Sequence, residues 1–375
     1  MFNKLIAIRN WKIKIIYKYI LKPIFFKFDP EKIHDYFISI GKFLGKFYIT
    51  RKITGFFFRY SNPTLEQRIL GIDFKNPVGL AAGFDKNAML TDILGDVGFG
   101  FEEIGSITGE ACQGNTKPRL WRLIKSKALV VYYGLKNDGC EIISKRLKNK
   151  KINIPLMVSI AKTNSKETAE TEKAILDYFK AYEAFIDIGD FTVINISCPN
   201  AFGGQPFTEK EKLNALLERI TSISKTKPIF IKMAPDLKQN EVDEIISLSQ
   251  KFNIDGFICT NLTKDRENPE IKKKIKDTLT VEKGGISGKV VEDLSNKMIR
   301  YIYKKTNGKF IIIGTGGIFS AEDAYKKIKA GASLLQLITS MIFEGPQIIS
   351  EINLGLVKLL KKDGFETISE AIGKE

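Results

Sequence analysis

The chain has 375 residues, 43% of them hydrophobic: enough for one large barrel or two ordinary domains, and too apolar for wholesale disorder. Its net charge of +16 points to an anionic partner, but 43 acidic residues are interspersed and no long Lys/Arg block occurs, so no nucleic-acid partner is expected. Four scattered cysteines without a CxxC leave no zinc ribbon or iron–sulfur ligand set, and the single histidine, His34, makes a Ser-His-Asp triad or zinc hydrolase site depend on that one residue; no metal is expected.

The first stretch, "KLIAIRNWKIKIIYKYILKPIFF" (4–26), mixes branched and aromatic side chains with Lys12, Lys14, Lys18 and Lys22. No run approaches the ~20 apolar residues of a membrane span. No signal-peptide pattern is visible. The composition predicts a helix lying in a membrane interface, with its lysines drawn to an anionic surface. In "FDPEKIHDYFISIGKFLGKFY", Asp29-Pro30-Glu31 is a helix start, and Ile33, Tyr36, Phe37, Ile40, Phe43 and Leu44 recur at helical spacing. Residues 1–50 therefore read as a two-helix amphipathic segment, and 51–375 as the main domain.

From residue 77, short apolar strands alternate with amphipathic stretches. Eight strands are expected, at 77–84, 101–108, 155–161, 191–197, 228–234, 255–261, 310–316 and 333–339. Helices are expected at 89–97, 168–187, 208–224, 239–252, 289–306, 320–330 and 345–362. Eight such units in about 300 residues predict an α/β fold of the (β/α)8 TIM-barrel type. A doubly wound open sheet is the alternative, but it more often stops at fewer strands. Residues 109–138 are too long for a simple loop and read as a hairpin inserted over the barrel mouth.

Chemistry in such a barrel sits where the strands end. Those ends carry Gly83-Phe84-Asp85-Lys86, Gly105-Ser106, Asn195 to Asn200, Lys232, Thr260-Asn261, Gly316-Gly317 and Thr339. The "GTGGI" turn lets backbone approach a phosphate after the seventh strand. Lys232 and Lys86 would stabilise a reduced, anionic flavin, with an ion pair of Lys232 and Asp236 as the lesser alternative. In "VINISCPNAFGG", Cys198 closes the fourth strand between Asn195 and Asn200, either as core filler or as a base.

Taken together, "NPVGLAAGFDKN", "EIGSIT…GNTKPRLWR", "NISCPN", "IKMAPDL", "DGFICTN", "GGISG", "GTGGI" and "GASLLQLIT" resemble the dihydroorotate dehydrogenase family, in this order, from about residue 28 to 350. "FDPEKIHD" resembles its class 2, quinone-reducing branch. The resemblance implies an FMN-containing barrel behind a membrane-associating two-helix segment, peripheral to the cytoplasmic side of the cell membrane. It implies oxidation of dihydroorotate to orotate in pyrimidine biosynthesis, with a membrane quinone taking the electrons. Ala81, Ala82, Gly83, Lys86, Ser106, Ser159, Asn195, Lys232, Thr260, Gly288, Gly316, Gly317, Ile338 and Thr339 would hold the flavin. Lys86, Asn195, Asn200 and Asn261 would hold the substrate, and Cys198 would be the base.

The chain departs from that pattern mildly at Ser106, where the family usually has threonine, and more strongly in four other places. The class 2 base is serine, whereas Cys198 is what soluble class 1 members carry. The family's "NRMGFNN" loop reads Val131-Tyr132-Tyr133-Gly134-Leu135-Lys136-Asn137, so its first asparagine is Val131; Asn137 or Lys136 is expected to compensate. Leu262 replaces a threonine, and Ser159 an asparagine at the flavin. Two other readings follow: a flavin barrel acting on a different dihydropyrimidine or an enone, or a membrane-tethered, non-redox phosphate-binding barrel.

Overall fold

The computed structural model describes residues 2–198 and 200–375. Eight parallel strands close into a barrel: β1 (Val78–Leu80), β2 (Phe101–Ile107), β3 (Leu156–Ile160), β4 (Phe191–Asn195), β5 (Ile229–Met233), β6 (Gly256–Cys259), β7 (Ile311–Thr315) and β8 (Leu334–Leu337). Each pairs with its sequence neighbours, and β8 returns to β1. All eight expected strands are present, and the open-sheet alternative falls with the β8–β1 pairing.

Inward-facing residues change character along the strands. Phe101, Met157, Phe191, Phe230, Ile258, Ile313 and Leu334 fill the lower half, plugged from below by Ile69 and Phe74 of a small hairpin (Gln67–Ile69, Ile72–Phe74). Their rings meet edge to face, Phe74 against Phe101 at 5.6 Å and Phe191 against Phe230 at 5.5 Å. One or two pleats higher on the same strands stand Glu103, Ser159, Asn195, Lys232, Thr315 and Gln336, all but Thr315 fully buried. Period-two alternation carries both sets to the axis once Phe101, Phe191 and Phe230 point inward.

The outer helices match the expected stretches, with one exception. The expected helix at 89–97 is reduced to Leu94–Val97, because the Asp85 carboxylate takes the N–H groups of Met89 (2.8 Å) and Leu90 (2.6 Å) and holds the chain in a turn. A helix at Cys140–Leu147, unexpected from the sequence, follows the insertion. The inserted hairpin forms (Leu120–Leu123 with Ala128–Val131), and Gly285–Gly288 adds a third antiparallel strand to it.

The N-terminal layer is larger than expected. Helix α1 (Phe2–Ile16) continues through a π-turn (Tyr17–Leu21) and a last α-turn (Lys22–Phe25). Helix α2 (Pro30–Lys46) starts where Asp29 caps the Lys32 N–H at 2.9 Å. A third helix, α3 (Tyr48–Phe58), crosses the expected boundary at residue 50. Helix α1 is pinned to the C-terminal helix α4 (Ile348–Asp363) by Asn10 and Arg9 on Ser350 Oγ (3.0 and 2.9 Å) and by Lys14 on Glu351 (3.0 Å). Beyond residue 58, the only large apolar side chains left exposed among the described residues are Leu70, Ile124, Ile142, Leu176 and Phe202; Trp11, Tyr19, Phe43, Tyr48, Phe56 and fourteen others crowd the N-terminal layer. No described helix is long and apolar enough to cross a membrane.

Candidate active site

A continuous cavity of about 490 Å³ opens above the polar half of the barrel and runs on beneath α2. Its size is that of a cofactor or substrate chamber. Its inner wall is made by Ala81, Ala82, Gly83, Ser106, Asn195, Lys232, Thr260, Gly288, Gly316, Gly317, Ile338 and Thr339, with Lys86, Cys198, Asn200 and Asn261 towards the mouth. Its outer extension is apolar: Phe25, Ile33, Phe37, Ile40 and Leu44 face Leu90, Leu94 and Ile338.

Two expected residues are not in that wall. Asn137 spends its amide on Thr108 Oγ1, Leu135 O and the N–H groups of Gly139 and Thr108, fixing the loop rather than facing a ligand. Lys136, not Asn137, lines the chamber. Ser159 stands behind Ser106, with the hydroxyls 2.9 Å apart, so it supports the wall without forming it. Lys232 does line the wall, and its ion pair is with Glu103 at 2.9 Å, both fully buried; the alternative partner Asp236 instead accepts from Thr263 and Lys264. Glu103 also takes the Ala82 N–H at 3.1 Å, so one carboxylate ties β2 to the β1 loop and to β5. Nothing in "FEEIGSIT" tells which of two glutamates faces a lysine across the barrel.

Glycines bring the backbone of the wall close to the chamber. At Gly317 (φ 78°) a Cβ would lie 2.3 Å from Glu292 Cβ, and at Gly288 (φ 101°) 2.4 Å from Lys127 O, so only glycine lets the backbone turn there. The N–H groups that open the short helix Thr339–Glu344 have no partner within their own helix. Lys232 keeps donors beyond the one given to Glu103.

Around Cys198 the three asparagines interlock. Asn195 donates to Ser106 Oγ (2.7 Å) and accepts from Ser197 N and Oγ. Asn261 donates to Ser197 O and Oγ, both at 3.1 Å. Asn200 donates to Val131 O at 2.8 Å, and its Oδ1 is buried with no partner among the described residues. The thiol of Cys198 faces the same space. Burial pushes it up, opposed by the Asn200 backbone N–H, Lys162 and Lys264. At Gly134 (φ 65°) and Leu135 (φ 60°) the backbone is left-handed, and the N–H groups of Tyr133, Gly134 and Leu135 have no partner among the described residues. Lys86 and Lys136 stand beside them, the Lys86 ammonium brought down to about 8 by burial.

His34 and Tyr133 complete the chamber, and sequence reading missed both. His34 Nε2 lies 2.8 Å from Phe84 O and 3.3 Å from Lys86 Nζ. Burial and Lys86 lower its pKa against the opposing pull of Asp35. Lys86 Nζ sits 4.1 Å from the centre of the Tyr133 ring. The helical period of α2, which puts His34 beside Ile33 and Phe37, was the available signal for His34.

Fold and site define a (β/α)8-barrel enzyme whose chamber lies at the carboxyl ends of the strands and carries a buried lysine–carboxylate pair. The family model for dihydroorotate dehydrogenase matches residues 64–360. "Dihydroorotate dehydrogenase (quinone)" of Nostoc punctiforme is 38% identical over 373 residues, spanning 96% of this chain and 98% of that protein; that of Crocosphaera subtropica is 41% identical over 325 residues, 85% of each. The crystal structure of the Eimeria tenella enzyme in complex with ferulenol superposes with a TM-score of 0.81 at 30% identity, covering 92% of this chain and 95% of that one. The chain belongs to the dihydroorotate dehydrogenase family.

Proposed function

We propose that this protein oxidises (S)-dihydroorotate to orotate in pyrimidine biosynthesis, with FMN in the glycine-lined half of the chamber and a membrane quinone as final acceptor. The observation that carries the reading is the continuous cavity. It joins a polar chamber containing a thiol and an asparagine set to an apolar slot beneath an exposed, aromatic-rich helical layer.

FMN, when bound, would supply the two-electron acceptor. Lys232, neutralised in part by Glu103, would offer a cation to its ring, and the N–H groups at Gly316, Gly317 and Thr339 would hold its phosphate. Cys198, as thiolate, takes a proton from the substrate carbon facing it. Asn200 Oδ1 accepts a ring N–H, and Asn195 and Asn261 hold the rest of the imide edge. Lys86, Lys136 and the free N–H groups at 133–135 receive the carboxylate. The helical layer through Phe58, rather than residue 50, lies in the interface of the membrane's cytoplasmic face and guides quinone into the slot.

Val131 and Leu262 favour a second reading, a dihydropyrimidine other than dihydroorotate. Two lysines and three free N–H groups beside the chamber argue for a substrate with a carboxylate. Orotate formation followed by absorbance, with a short-chain quinone as acceptor, tests the choice: dihydroorotate should be oxidised and dihydrouracil should not. The reverse preference would overturn the assignment.

A further inference from the structure

Behind the wall that carries Cys198 lies a buried cation with no place in the chamber. Lys162 follows β3, is 3% exposed, and does not line the cavity. Its ammonium donates to Phe202 O at 2.6 Å, on the loop that begins with Cys198. That loop is held again by Phe202 N–H on Asn164 Oδ1 (2.6 Å) and by Gln205 Nε2 on Ser197 O (3.0 Å). Among the described residues Lys162 forms no ion pair. The nearby Asp177 carboxylate is already taken by Thr163 N (2.6 Å), Thr163 Oγ1 (2.7 Å) and Gly109 N (3.3 Å).

A buried ammonium whose only partner is a neutral carbonyl is costly, and burial lowers the pKa of Lys162 accordingly. The foremost charge opposing that fall is the Cys198 thiolate, with Asp177 second. The groups facing Cys198 are Lys162, Lys264, Cys112 and Tyr178. Lys264 is exposed and screened by water. Cys112 points its thiol at Gly134 O, and burial keeps the Tyr178 phenol protonated. Lys162 is therefore the one buried cation among them.

We propose that Lys162 is a positioning residue for the base: its charge stabilises the Cys198 thiolate from behind, while its bond to Phe202 O fixes the loop that carries the thiol. The proposal rests on Cys198 being the base. It adds a counter-ion outside the chamber that the substrate never touches.

The pH dependence of Cys198 alkylation by iodoacetamide, read by peptide mass spectrometry on the flavin-loaded protein, tests it without any substrate. Lys162→Gln keeps a donor for Phe202 O and loses the charge; Lys162→Met loses both; Lys162→Arg keeps both. The Gln and Met variants should alkylate with a midpoint raised by about one pH unit, roughly tenfold slower below it, while Arg follows the wild-type curve. Should Met not fold, Gln carries the comparison. A Gln variant on the wild-type curve overturns the proposal, leaving Lys162 a tether only. Failure of the base assignment would show separately, as flavin reduction by dihydroorotate that survives Cys198→Ala.

Discussion

The lower and upper halves of the barrel interior are built from the same strands, yet they do opposite things. Below, Phe101, Phe191 and Phe230 pack ring on ring with no polar atom among them. Above, one or two pleats further, Glu103, Asn195 and Lys232 are equally buried but survive only because each is paired. The lower half gives stability and no chemistry. The upper half spends stability on buried charge to hold a reactive site, so substitutions in the two halves should separate folding from turnover.

The largest effect should come from below. Phe191→Ala removes a fully buried ring and should cost about 3–5 kcal/mol of stability in denaturant titration, while the protein that remains folded binds flavin and turns over normally. A Phe191→Ala protein of unchanged stability would show that the aromatic layer is not what holds the barrel together.

The next effect separates the halves by pH. Lys327 supports the upper rim from outside: it donates to Ser295 Oγ (2.7 Å), which in turn donates to Thr315 O (2.8 Å). Burial lowers its ammonium from 10.5 to about 7. Between those values the unfolded chain binds the extra proton, so stability should rise with pH through that window. From pH 7 to about 8.5, before buried thiols and phenols oppose it, the gain should be on the order of 1–2 kcal/mol, and Lys327→Met should flatten it. Identical pH–stability curves for the two proteins would remove Lys327 from the account.

The smallest effect should lie farthest from the chemistry. Phe37→Glu places a charge in the apolar slot beneath α2 and should slow quinone reduction roughly tenfold, about 1.4 kcal/mol, while leaving a soluble-dye assay unchanged. Equal loss in both assays would mean the slot does not serve the quinone.

Much of this was legible in the sequence because local pattern carried it. All eight strands were readable from apolar runs between amphipathic stretches, and Cys198 from its place at a strand end. What was missed depends on partners distant in the chain. "GGISG" looks like a loop until Gly285–Gly288 pairs with Ala128–Val131. For an ion pair of Lys232 the local sequence offers only the near Asp236; the closed barrel brings Glu103 across to it. Asn137 has the right chemistry for a ligand, but its backbone neighbours take its amide first. His34, some fifty residues before the turn it touches, enters the chamber only because α2 folds over the barrel mouth.

The most direct test of the upper half is the anaerobic reduction of the bound flavin by dihydroorotate in a stopped-flow spectrometer, wild type against Cys198→Ala. The wild type should bleach rapidly. The variant should bleach ~10²–10⁴-fold more slowly, with flavin content and orotate binding retained. Bleaching at the wild-type rate without the thiol would contradict the role of Cys198 as the base.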